Sequence, residues 1–157
     1  MASLTIWICL TLLVIACGWL TWTDIRFGII PNWINAVIAM LGLAQCVATN
    51  SMSAALMAAA GGVAIGVSLL LLRHLYFTWR GVHGLGLGDV KFLAAASIWT
   101  GLADLPILLL VATLAALLAA GVLHLTGRAV TARTSLPFGP SLAFGLLVTL
   151  VLQPLAS

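Results

Sequence analysis

Of 157 residues, 64% are hydrophobic and only 6% are charged, against roughly 25% charged in a soluble globular domain. That excludes a water-soluble enzyme, and a net charge of +3 carried by six scattered Lys and Arg forms no charge run, so no nucleic-acid partner is expected. The chain reads as an all-α polytopic membrane protein, a bundle of six transmembrane helices in one membrane-embedded domain over residues 1–157, with no room for an appended soluble domain.

The first apolar stretch runs from Ala2 to Thr21. Within it Val14-Ile15-Ala16-Cys17 resembles a lipoprotein cleavage site, but no Lys or Arg precedes it, and a secretory signal normally has a positive n-region; the stretch is read as the first span. Further stretches follow at Asn32–Ala48, Met52–Leu72, Val90–Ala103, Leu105–Leu125 and Phe138–Leu152. Five of the six reach or approach the ~20 residues that a ~30 Å hydrocarbon core demands. The fourth does not: even counted from Asp89 it has 15 residues, roughly 22 Å of helix at ~1.5 Å per residue. Either the bilayer thins there or the glycine-rich approach of residues 84–88 dips below the membrane surface, which places an aspartate in a buried position. Small residues around Ala58–Gly62 and Ala115–Gly121 favour close helix packing. Cys9, Cys17 and Cys46 are odd in number and show no CxxC spacing, so they read as packing residues and no metal site is expected.

Orientation follows from the basic residues, because Lys and Arg in short loops hold those loops on the cytoplasmic side. Arg26 lies in the first connection, Arg73, Arg80 and Lys91 in or beside the third, and Arg128 and Arg133 in the fifth, while the second and fourth carry none. Both termini then face outward and the odd-numbered connections face the cytoplasm. Trp22, Trp33 and Trp79 border the cytoplasmic side and Trp99 the outer side, as interfacial anchors do.

Among only three acidic residues, Asp24 and Asp89 fall at the cytoplasmic ends of spans one and four, at the same depth, and Asp104 falls on the outer side. Ionisable groups in or near a bilayer are costly and mark functional sites. The plainer role is a helix-end charge, with Asp24 pairing Arg26 and Asp89 capping a helix N-terminus. The chemical role is stronger in consequence: two carboxylates within a few ångströms share a proton, so one activates water while the other donates to a carbonyl. That hydrolyses a peptide with neither metal nor covalent nucleophile. His74, His83 and His124 stand apart, with no HExxH and no Ser or Cys beside a His. Gly84, Gly86 and Gly88 in the GLGLGD run strip side chains from the approach to Asp89, so that a substrate strand can come close, or else pack as GxxxG. A proton-coupled transporter or channel using the same two aspartates as a relay is the alternative.

Three segments resemble the prepilin peptidases (type IV leader peptidases), aspartic proteases of the GxGD group. Asp24-Ile25-Arg26 followed by Ile30-Pro31-Asn32-Trp33 is similar to the family's first acidic segment, Gly86-Leu87-Gly88-Asp89-Val90-Lys91 to its GxGDVK segment, and Leu136-Pro137-Phe138-Gly139-Pro140 to the PFGP motif opening the last span. The resemblance implies cleavage, without a cofactor, of the short basic leader of type IV pilin-like precursors, at the cytoplasmic face of the bacterial inner membrane, by an Asp24–Asp89 dyad. It also implies that Gly86, Gly88, Pro31, Pro137, Phe138, Gly139 and Pro140 shape the site, with Pro31 starting the second span at its first helical position and Pro137 and Pro140 keeping the last span's opening irregular. Arg26, Arg80 and Lys91 are expected to contact substrate or lipid headgroups, or to set orientation. Larger members carry a cysteine-rich insertion between the first two spans and N-methylate the product. Here only Arg26 to Pro31 separate those spans, so methyl transfer is not expected, and the chain looks like the compact form associated with Flp-type pili.

Overall fold

The computed structural model describes residues 2–82, 84–125 and 138–156. Its described residues form α-helices and no strands: α1 (Ala2–Phe27), α2 (Asn32–Thr49), α3 (Met52–Arg80), α4 (Leu87–Thr100), α5 (Leu105–Leu125) and α6 (Gly139–Ala156). Four of these, α1, α2, α3 and α5, are long and apolar enough to cross a membrane. The protein is a multi-pass membrane protein.

Four helices form a ring. α4 packs on α2, α2 on α1, α1 on α6, and α6 back on α4, while α3 lies outside against α4 and α2, and α5 outside against α6. The ring interior is a continuous apolar core in which Leu13, Leu20, Ile34, Ile38, Phe92, Leu142 and Leu146 are fully buried. The peripheral helices bury little: Leu71, Leu72 and Leu75 of α3 and Leu117 and Leu118 of α5 are exposed, the apolar outward face that lipid requires.

The fourth predicted span is short because it is interior. α4 has 14 residues, about 21 Å at ~1.5 Å per residue, and Val90, Phe92, Leu93, Ala95, Ala96, Ser97 and Thr100 are all buried among its three neighbours. Its hydroxyls are satisfied within the helix, Ser97 Oγ donating to the Ala94 carbonyl at 2.9 Å and Thr100 Oγ1 to that of Ala96 at 3.3 Å.

Glycines set the close approaches. A Cβ on Gly62 would lie 2.9 Å from the Ala94 carbonyl oxygen, where α3 meets α4, and one on Gly145 would lie 2.8 Å from that of Leu108, where α5 meets α6. Gly62 belongs to the small-residue run expected to pack closely; Gly121, in the other such run, has no neighbour within 4 Å of an added Cβ. Gly42 makes room for Trp99, whose indole N–H donates to the Ile38 carbonyl at 2.8 Å. Trp99 is therefore a helix–helix contact rather than the simple interfacial anchor that its position suggests, whereas Trp22, Trp33 and Trp79 are exposed.

Among the described residues Asn35, Gln45 and Arg73 break the rule that buried polar atoms are paired, and of these only Asn35 is orphaned at both ends of its amide. Asn35 on α2 is 5% exposed, and neither its amide nitrogen nor its amide oxygen has a partner, at a cost of about 1–3 kcal/mol for each orphaned group.

Candidate active site

The first acid is delivered by α1, which continues past the apolar stretch to Phe27 and ends at Gly28, whose φ of +63° only glycine adopts readily. Asp24 sits one turn from that end, with 7% of its surface exposed. Its Oδ2 accepts the backbone N–H of Gly139, the first residue of α6, at 2.8 Å. The carboxylate thus lies at the positive end of α6, where unpaired amides and the helix dipole favour negative charge. Arg26, the expected partner of Asp24, instead lies over the Trp22 ring, 5.5 Å from its centroid.

The second acid is delivered by α4. Gly86 is the N-cap in extended conformation, which makes Asp89 the third helical residue; its carboxylate accepts the Gly86 backbone N–H, as the third residue of a capping box does. The plainer helix-capping role is therefore real for Asp89. It coexists with a second exposure: Asp24 and Asp89 both line one cavity of about 710 Å³.

That cavity gathers the three sequence segments. Its walls include Ile30 from the α1–α2 connection, Asn32 at the start of α2, Gly86, Gly88 and Lys91 around Asp89, and Phe138 at the head of α6. Gly139 reaches the site through its amide. Pro31, Pro140, Arg26 and Arg80 are not among the cavity walls; Arg80 is exposed at the end of α3. Pro137 lies outside the described residues, as do His83, Arg128 and Arg133.

Two expectations about backbone shape are corrected. Pro31 is the N-cap of α2, not its first helical residue, with φ −63° and ψ 137°; the ring fixes φ, and the extended ψ suits a cap. Pro140 does not disorder the start of α6, since regular helix runs from Gly139 and a proline in the first turn sacrifices no intrahelical bond.

The glycines of the GLGLGD run, two of which line the cavity, also serve close packing, the second role expected of them. A Cβ on Gly86 would lie 2.8 Å from Asp89 Oδ2, one on Gly88 2.9 Å from the Ile30 side chain, and one on Gly84 2.8 Å from the Tyr76 ring. Protein atoms already crowd the positions those Cβ atoms would take, so the run lets Asp89 fold back on its own cap and lets the α1–α2 connection and α3 close on the loop. Gly139 obeys the same logic, with an added Cβ 2.7 Å from Asp24 Oδ2.

Sequence reasoning assigned no role to Asn32 as a ligand. Its Oδ1 accepts from Lys91 Nζ at 2.8 Å, tying the start of α2 to α4 at the cavity rim and giving the lysine a structural partner. An asparagine opening an apolar span beside a proline was the available signal. At the opposite end, Gln153 Nε2 donates to Asp104 Oδ2 and to the Thr100 carbonyl, both at 2.9 Å, so the third acid is a strut between α6 and the α4–α5 turn.

Comparison with known proteins places these residues in a lineage. Residues 7–121 match the model of the type IV leader peptidase family, a range that holds both aspartates but not the head of α6. The chain is 35% identical over 128 residues to a prepilin leader peptidase/N-methyltransferase of Burkholderia pseudomallei (strain 1026b), covering 81% of this chain and 40% of that protein. It is 37% identical over 123 residues to the like-named protein of Xanthomonas campestris pv. campestris, covering 76% and 41%, and 33% identical over 129 residues to that of Escherichia coli (strain K12), covering 81% and 55%. The chain thus spans about two fifths to just over half the length of these relatives. No solved structure matches. The chain belongs to the type IV leader peptidase family.

Proposed function

We propose that this protein is an aspartic endopeptidase that removes the short basic leader of type IV (Flp-like) prepilins at the cytoplasmic face of the bacterial inner membrane, with Asp24 and Asp89 as its dyad. The observation that carries this reading is the opening of both acids onto one cavity, each with a helix-start amide as its partner, in a chain of the leader peptidase family. In the reaction one carboxylate removes a proton from water, and the water oxygen bonds to the scissile carbonyl carbon as the protonated partner gives its proton to the carbonyl oxygen. Collapse of the tetrahedral diol breaks the C–N bond as the acid that took the water proton gives it to the leaving amine and one diol hydroxyl returns its proton to the other carboxylate, so the shared-proton state is restored.

Six spans in one domain, odd connections inward, is the topology that fits this function: α4 and α6 complete the ring, and the dyad end carries Arg26, Arg80 and Lys91. Arg26 and Arg80, exposed and off the cavity, serve orientation and lipid headgroups. The relatives' names include N-methyltransferase, but in this chain α1 and α2 are separated only by residues 28–31, so peptidase activity alone is proposed. A proton relay is less well supported, because the chain belongs to a family of leader peptidases.

The deciding experiment incubates the purified protein in detergent with a pilin-like precursor and reads the products by mass spectrometry. A single cut at the leader junction, lost in both aspartate variants, is expected; an intact precursor would refute the reading.

A further inference from the structure

Next to the dyad cavity lies a second concavity, of about 540 Å³, running along α2, α3 and α4. Asn32 and Lys91 belong to the walls of both, so the two spaces meet at the Asn32–Lys91 hydrogen bond. Apart from those two residues and Asn35 the groove is apolar, and its walls are cut from small residues such as Ala36, Ala39, Gly66 and Ala94, which leave a concave strip open to the bilayer. Asn35 stands one helical turn below Asn32, about 4.5 Å deeper along α2, and lines this groove with both ends of its amide unpaired and 5% of its surface exposed.

An acyl chain fits the apolar walls but offers Asn35 nothing. A peptide group offers both an N–H and a C=O, and such groups lie free in apolar surroundings wherever a helix begins, since the first amides of a helix have no internal partner. The groove's continuity with the dyad cavity supplies the rest of the argument. A chain lying extended across Asp24 and Asp89 and turning helical as it enters the bilayer brings its first helical amides to the depth of Asn35.

We propose that the α2–α3–α4 groove is the docking site for the apolar helical segment adjoining the scissile bond of the peptide substrate, and that Asn35 pairs with main-chain groups at the start of that helix. The inference rests on the peptidase reading above and deepens it: the substrate is held by its membrane segment, not only by the residues at the cut. The Lys91–Asn32 bond marks the junction where extended chain passes into helix.

The test compares two synthetic precursors with the same leader and cut site, one carrying an apolar segment of about 20 residues and one truncated shortly after the scissile bond. The wild-type protein is expected to cut the long precursor with a kcat/KM at least about tenfold above that of the short one, a difference expressed mainly in KM because it removes binding common to ground and transition states. Ala36→Trp, which fills the groove from an exposed position, should bring that ratio close to one. Asn35→Leu should lower the ratio without lowering thermal stability, since it removes an orphaned amide; a merely structural asparagine would show the reverse. As a measurement independent of these variants, a photoreactive phenylalanine replacing the exposed Val63 should label the long precursor. Equal rates on both precursors in the wild type, an equal fall on both in Ala36→Trp, or labelling of lipid alone would overturn the proposal. Failure to cut either precursor would instead overturn the peptidase reading.

Discussion

Asp24 on α1 and Gly139 at the head of α6 are joined by a 2.8 Å hydrogen bond across 115 residues of sequence. The bond needs glycine, because a side chain at position 139 would meet the Asp24 carboxylate at 2.7 Å. Gly139→Ala is expected to lower cleavage at least about tenfold, the effect of ~1.4 kcal/mol at the barrier, by displacing the carboxylate. Initial rates with melting curves on the same samples test it; unaltered rates would show that the contact is ornamental.

Replacing either proposed catalytic acid by Asn keeps size and one acceptor oxygen while removing the titrating group. Asp89→Asn can still accept the Gly86 amide, so its stability cost should stay within ~1–2 kcal/mol, while cleavage falls by orders of magnitude. Asp24→Asn should behave alike, and the double variant should lose little more than either single one. Asp104→Asn, whose parent bonds Gln153, serves as control and should cut nearly normally. Substantial cleavage by a folded Asp89→Asn protein would reduce that residue to its cap.

Topology is tested by single cysteines in a background with Cys9, Cys17 and Cys46 replaced. Labels at Gly81 should react from the cytoplasm and those at Asn50 and Asp104 from outside. Reaction of Gly81 and Asn50 from one side would defeat the six-span arrangement.

Packing without chemistry is isolated at Gly145, where an added Cβ would lie 2.8 Å from the Leu108 carbonyl and 3.0 Å from Ala112 Cβ. Gly145→Val should cost about 1–3 kcal/mol of stability by forcing α5 from α6. The measurement is detergent-dependent unfolding, with no fall in stability as the contrary result.

Hydropathy located each of the described helices, and the predicted bounds of α5 coincide with those observed. It missed the end of α3, predicted at Leu72 and observed at Arg80, because apolar runs mark where the bilayer ends, whereas the helix continues until Gly81 turns left-handed at φ +69°. The two acids and the three motif segments were legible from composition and resemblance. The amide partner of Asp24 was not, since a backbone donor leaves no mark in the alphabet of side chains. Asn35 was equally hidden: one polar letter in an apolar span says nothing of whether it is paired.

The order of the helices along the chain gives the Asp24–Gly139 bond a meaning in time. Of the described helices α1 leaves the ribosome first and α6 last, so Asp24 waits through the insertion of α2 to α5 before the amide that holds it exists. Phe138, a wall of the cavity, arrives with that same amide. Half-made chains therefore hold both acids but not their finished surroundings, and the cavity is completed only when α6, the last of the described helices, joins the ring.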